Sequence, residues 1–310
     1  MAPSRASPGR MLMRSGCLTS EPTLPTHAAA TPSVYHPMLS LRHTVSIVAA
    51  SAMVVLAPYP ILRGSDESTP LRYQTNEAFG FGERLEYDVG YKFISAGTAV
   101  FQVDKEPQIV NGRPCFKVTF GVASHKSLEF IYKVRDSYVT YLDVDGIFPW
   151  KFEQHIREKN FSKDFVATFD QVGHKAYTTE GTFDIPEFVH DIVSAFYFVR
   201  TYDLKKAKAG EEIKLKNFFD RETHDLVVKV LGRQRIEVDA GTFDCVVIEP
   251  RIAKGSPFGF KGRLRMWMSA DDRKIPIKVS TEIPIGSIDA ELRQYRGTRG
   301  PITAKIKTAP

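Results

Sequence analysis

The chain has 310 residues, 43% of them hydrophobic and 25% charged, with a formal net charge of +6, enough to bury a full core in one or two domains. The positive charge sits at the two ends: Arg5, Arg10, Arg14, Arg42 and Arg63 near the start, Arg296, Arg299, Lys305 and Lys307 near the finish. The body between is nearly neutral and lacks the basic footprint of a nucleic-acid-binding protein.

Residues 1–37 are rich in Pro, Ser, Thr and Ala with no hydrophobic period, so they are expected to be disordered or an over-extended start. From Met38 the pattern changes. Arg42 and His43 precede an uncharged, largely apolar run, Thr44–Ala57, which Pro58 and Pro60 terminate. That run suits a signal-peptide core and is shorter than the ~20 residues a membrane-spanning helix needs. Residues 38–67 are read as a signal peptide, with an uncleaved N-terminal anchor as the alternative. No Cys lies just after the run, which argues against a lipoprotein; export to the periplasm is the expected localisation.

Residues 80–296 read as a single domain. "ERLEYDVGYKF", "AGTAVFQVDKE", "RPCFKVTFGVAS", "IYKVRDSYVTYLD", "PWKFEQHIRE" and "KDFVATFD" alternate apolar and polar residues, punctuated by "NG", "DG" and "VG". Then come "EEIKLKNF", "HDLVVKVLGR", "QRIEVD", "FDCVVIEPRI", "GRLRMWMS", "IPIKVSTEIP" and "SIDAELRQY". These predict an all-β fold of roughly 13–15 short strands in a strongly curved antiparallel sheet or barrel. The Ala-Gly-Thr before two of the strands, at Gly97 and Gly241, is explained by a turn or bulge. Residues 297–310 are expected to be a basic flexible tail.

One central helix interrupts the strands, over about residues 188–201. Asp184 is its expected cap, Pro186 lies in its first turn, and Arg200 suits its last carbonyls. At about 100° per residue, Val189, Ile192, Val193, Phe196 and Val199 form its apolar face. His190, Asp191 and Ser194 supply the residue types of a hydrolase triad. His190 and Ser194 are i,i+4 neighbours, but on a regular helix Asp191 points away from the imidazole, so no catalytic residue is assigned.

Other chemistry is sparse. His125, His155, His174, His190 and His224 are dispersed without metal-ligand spacing, and no nucleotide-binding or nucleophile-elbow motif occurs. No metal, cofactor or catalytic residue is therefore expected. Glu153/Glu158 and Asp271/Asp272 read as solvated strand faces and turns, and "NFS" at 160–162 is a weak glycosylation match. Cys115 and Cys245 lie in strand patterns, as a possible disulfide or as two buried thiols. Aromatics recur along the strands at Phe93, Phe101, Phe116, Phe120, Phe130, Tyr132, Trp150 and Phe152. Such a stripe is core, or the lining of an apolar site under the helix.

The stretches "GERLEYDVGYKFISAGTAVFQV", "HDIVSAFYFVRT", "VLGRQRIEVDAGTFDCVVIEP" and "GRLRMWMSADDRKIPIKVSTEIPIGSIDAELRQY" resemble, in this order, the bacterial domain of unknown function 3108 family. The resemblance implies export in a Gram-negative bacterium and a barrel-like domain with one central helix. It implies no established activity and no catalytic residues. There is a looser architectural likeness to the half-barrels that carry lipids and lipoproteins across the periplasm.

These readings converge on a non-enzymatic exported protein with an apolar or lipid-like ligand. The expected lining is Phe196, Val193, Tyr197, Phe101, Phe120, Tyr132 and Trp150. The alternatives are a structural envelope protein with a protein partner and no ligand, or an envelope hydrolase. The hydrolase requires Asp88, Arg135, Asp136 or Glu153 to meet around one pocket.

Overall fold

The computed structural model describes residues 71–91, 94–130, 133–252, 263–284 and 286–307. The expected leader and signal segment, residues 1–67, therefore lie outside the described residues, as does Tyr132. Fifteen strands form one antiparallel sheet: β1 (Arg84–Tyr91), β2 (Ile94–Val103), β3 (Gln108–Val110), β4 (Arg113–Ser124), β5 (Arg135–Asp143), β6 (Pro149–Glu158), β7 (Phe161–Asp170), β8 (Lys175–Thr178), β9 (Gly181–Asp184), β10 (Glu212–Phe219), β11 (Glu222–Val238), β12 (Gly241–Ile252), β13 (Leu264–Ser269), β14 (Pro276–Ile283) and β15 (Gly286–Arg296). One helix, α1 (Ile192–Val199), lies between β9 and β10.

The spatial order is β10-β11-β12-β13-β14-β15-β1-β2-β4-β5-β6-β7-β8-β9, with β3 paired to β4 beside that path. β1 pairs with β15, so the two ends of the domain meet in mid-sheet. β9 and β10 are the sheet's ends, and the sheet is not closed between them. The chain just before α1 covers the β10 edge instead. His190 forms a parallel bridge with Asn217, donating its N–H to the Lys216 carbonyl at 2.9 Å and accepting from the Phe218 N–H at 2.8 Å. An edge strand's unpaired backbone is satisfied without a sixteenth strand.

Local signals explain the turns. Asn111 and Gly112 both have positive φ, the two-residue hairpin geometry that "NG" favours, between β3 and β4. The two Ala-Gly-Thr sites are indeed a bulge and a turn. Gly97 follows a register shift in β2, and a Cβ there would lie 2.4 Å from the Ala123 carbonyl oxygen. Gly241 opens β12 at φ +121°.

The helix is shorter than its sequence pattern predicts, and its ends differ. Asp191, not Asp184, is the N-cap. Its Oδ1 accepts from the Val193 and Ser194 N–H groups at 2.8 and 2.9 Å, and the Ser194 hydroxyl accepts the Asp191 N–H at 2.9 Å. Pairing with β10 holds residue 190 extended, so helical geometry cannot begin before Asp191. Arg200 does not bind the last carbonyls but turns into the interior, as described below.

Three apolar clusters hold the sheet. The largest surrounds α1 and draws on β2, β4–β8 and β10–β13. The second joins Leu85, Tyr87, Ala99, Phe243, Cys245, Trp267, Ile277 and Leu292. Phe101 and Phe120 pack against both. The third, on the other face of the sheet, contains Cys115, Phe148 and Trp150. The expected basic tail is not loose through residue 307. Asp244 N–H donates to the Ala304 carbonyl and Ile306 N–H to Thr242, while Ala304 N–H reaches Asp271 Oδ2 at 2.9 Å. A buried carboxylate and an available β12 edge fix a segment whose composition alone suggests mobility.

Candidate functional site: an apolar face that opens to solvent

Register places an aromatic row, interrupted by one glutamine, across neighbouring strands. Phe101 is opposite Phe120, Phe120 opposite Tyr138, Tyr138 opposite Gln154, and Gln154 opposite Phe165. Directly paired residues share one face of a sheet. The Phe101 and Phe120 rings stack at 4.3 Å between centroids, and Phe120 and Tyr138 stack at 5.9 Å. From α1, Phe196 stacks on Phe101 at 5.0 Å, with Tyr197 edge-on to both. Phe101, Phe120, Tyr138 and Phe196 are each only half-buried.

The same face remains apolar toward the β1–β2 hairpin, and its exposure rises along the way. Tyr87 pairs with Ala99 and Leu292, and all three are buried. Val89 pairs with Ala290, both half-buried, and Tyr91 pairs with Ile94 and Ile288. Ile288 and Ile94 are 43% and 62% exposed. On α1 the two most exposed residues, Ile192 at 41% and Phe196, are i,i+4 neighbours of the expected apolar face. Val189, Val193 and Val199 of that face are buried, as are Ser194, Ala195, Tyr197 and Phe198. An open stripe on α1 thus accompanies an open apolar face on the sheet. At its fringe, Asp136 pairs in register with Val122, and partial burial raises its carboxyl pKa.

Of the expected lining residues, Phe101, Phe120, Phe196 and Tyr197 come together, and Val193 is buried in the same cluster. Trp150 does not join them. The register shift between Tyr141 and Leu142 places it in the opposite cluster, where its indole N–H donates to Asp143 at 2.9 Å. Tyr138 was missed by sequence reasoning, although it lies on the alternating stripe of "RDSYVTYLD".

The apparent triad is buried and does not form a relay. His190 Nδ1 lies 3.3 Å from the Ser194 hydroxyl, and among the described residues His190 Nε2 has no hydrogen-bond partner. Asp191 Oδ2 accepts from the Thr140 hydroxyl at 2.7 Å, not from the imidazole. Burial, and then the Arg72 charge, hold the His190 pKa well below its ordinary value; burial raises that of Asp191. Nor do the carboxylates and arginine required of a hydrolase converge. Asp88 faces Arg293, Arg135 pairs with Glu129, Asp136 accepts the Arg157 N–H, and Glu153 pairs with Lys151. Ser95 lies 2.8 Å from His125 Nε2 at the exposed rim, but among the described residues no carboxylate engages that imidazole.

The helix is fixed beneath this face by a buried ion pair. Arg200 Nη1 and Nη2 donate to Glu83 Oε1 and Oε2 at 2.6 and 2.8 Å, and Nη2 reaches the Arg273 carbonyl at 3.1 Å. Both side chains are fully buried. Two open surface depressions of about 270 and 320 Å³ lie elsewhere, lined by polar groups that include Arg273 and Arg299 in one and Arg233 and Arg235 in the other.

A sequence-family model described as "Protein of unknown function (DUF3108)" matches residues 86–293. No curated protein matches the chain. Among solved structures, the chain is similar to a β-barrel-like protein of domain of unknown function DUF1849 from Brucella abortus. The two are 12% identical over 73% of this chain and 99% of that one, with a TM-score of 0.48. A proposed lipoprotein from Parabacteroides distasonis is 11% identical over 73% of this chain and all of its own, with a TM-score of 0.33. A proposed exported protein with a YmcC-like fold from Bacteroides fragilis is 10% identical over the same shares, at 0.28.

Proposed function

The chain belongs to the DUF3108 family of proteins of unknown function, and from that premise we propose that it is a non-enzymatic, exported protein that holds an apolar or lipid-like ligand. The ligand lies along the Phe120–Tyr138 part of the row, beside Ile192 and Phe196 of α1. One observation carries the reading: along β15, β1 and β2 an apolar face that is buried at Tyr87, Ala99 and Leu292 becomes progressively solvent-exposed through Val89 and Ala290 to Tyr91, Ile94 and Ile288. Large exposed apolar surface on a folded protein marks an interaction site. Asp136 and Lys163, on the same side of their strands, supply a polar fringe for the head of an amphipath. Periplasmic localisation rests on the sequence signal at Met38–Ala57.

The test is solvent extraction of the full-length purified protein, with mass spectrometry of what is released, followed by titration of the stripped protein with a fluorescent fatty acid. Loss of one stacking aromatic contact of ~1.4 kcal/mol is about tenfold in affinity. Phe120→Ala and Phe196→Ala should therefore each weaken the probe about tenfold, while Trp150→Phe, on the opposite face, should leave it unchanged. Absence of bound lipid together with a probe affinity insensitive to Phe120 and Phe196 defeats the proposal.

A further inference from the structure

The sheet's alternation brings a second set of residues to one end. Because all neighbours along the path are antiparallel, the last residues of β1, β4, β6, β12 and β14 and the first residues of β2, β5, β7, β13 and β15 share the end toward which the apolar face opens. Ile94 on β2 and Ile288 on β15 sit there on either side of Tyr91 of β1. Phe130, 77% exposed, and Phe161, 53% exposed, flank the neighbouring connections. Monomeric proteins seldom leave four large apolar side chains uncovered on one rim without a partner for them.

The charges on this rim are not balanced. Of its acids, Glu129 pairs with Arg135 and Glu282 with Arg265 at 3.5 Å. Lys126, Lys133 and Arg263 are exposed and make no ion pair among the described residues. Aromatic and aliphatic tips interspersed with unpaired cations fit an anionic, amphipathic surface. A protein partner or second copy of the chain would need a matching acidic patch.

We propose that this rim docks on a bilayer surface bearing anionic headgroups. Ile94, Phe130, Phe161 and Ile288 enter the boundary between headgroups and acyl chains, while Lys126, Lys133 and Arg263 meet phosphates. This inference rests on the ligand reading above, because docking sets the open apolar face against the source of its ligand. The end carrying Glu83 and Arg200, where the face is buried, points away from the bilayer.

Flotation of the full-length purified protein with vesicles tests it. Vesicles of phosphatidylcholine with phosphatidylglycerol should carry the protein, phosphatidylcholine vesicles far less of it, and 0.5 M salt should weaken the former. Phe130→Asp with Phe161→Asp, or Lys126→Glu with Lys133→Glu, should each reduce partitioning about tenfold or more. The fatty-acid titration without vesicles separates the two proposals. Rim variants should keep the probe, and Phe196→Ala should weaken it about tenfold while still floating. Failure to float with anionic vesicles, or flotation indifferent to the rim variants, overturns docking whether or not the probe binds. Flotation by a protein that binds no probe overturns the ligand reading alone.

Discussion

Arg200, one residue beyond α1, and Glu83, one residue before β1, form a bidentate ion pair with both side chains at zero exposure. It ties the helix to mid-sheet strands and so fixes how far α1 stands from the aromatic row. The Arg200 guanidinium also lies 5.3 Å from the Phe79 ring centroid and 5.1 Å from that of Tyr197. Breaking such a pair from one side leaves an uncompensated buried charge, at about 3–5 kcal/mol. Arg200→Met alone should lower unfolding free energy by that amount in urea titrations, and Glu83→Leu added to it should restore part of the loss. Equal destabilisation by the single and double variants would show that the pair is not what the charges contribute.

His190 makes the fold sensitive to mild acid. Its folded-state pKa is depressed, so near and below ~6.5 the unfolded chain binds a proton that the folded one refuses. Stability is thus full above that pH and falls as pH drops, by up to about 1.4 kcal/mol per unit. Asp191 acts oppositely: its raised pKa makes the folded state take up a proton before the unfolded chain does. Urea midpoints between pH 7.5 and 5.5 should fall for the wild type and fall less for His190→Asn. Parallel pH profiles for the two proteins would exclude His190 as the cause.

The C-terminal segment should behave as structure. Removing residues 300–310 deletes hydrogen bonds from Asp244, Ile306 and Ala304, together with Lys305 packed over the Phe243 and Tyr295 rings. At about 1 kcal/mol net for each hydrogen bond, the expected loss is about 3 kcal/mol. A truncated protein with unchanged urea midpoint would return the segment to the status of a tail.

Cys115 and Cys245 are free thiols in separate apolar clusters, and burial pushes both pKa values up to about 12. Only the thiolate is an effective nucleophile. Iodoacetamide at pH 8 should leave both unmodified in the native protein and alkylate both in urea, by peptide mass mapping. A native Cys115–Cys245 disulfide, or rapid native labelling, is the contrary outcome.

Period-2 alternation and turn residues determined the β class and the number of strands to within the expected range, and helical spacing the one α-helix among the described residues. These signals act within a few residues of one another, which is why they are legible in the sequence. The hydrolase reading of His190, Asp191 and Ser194 could be set aside there too, although the structural reason differs. The extended bridge of His190 to β10 and the capping role of Asp191 separate the three, not their angles on a helix. Which aromatics meet was decided by register. One bulge beside Leu142 sends Trp150 to the far face, while unbroken pairing aligns Phe101, Phe120 and Tyr138. The Glu83–Arg200 pair spans 117 residues, the docked C-terminal segment meets strands far from it in sequence, and the exposure gradient belongs to a face built from strands at both ends of the domain. Such properties depend on which strands the sheet brings together, and a chain read a few residues at a time carries no signal for distant pairing.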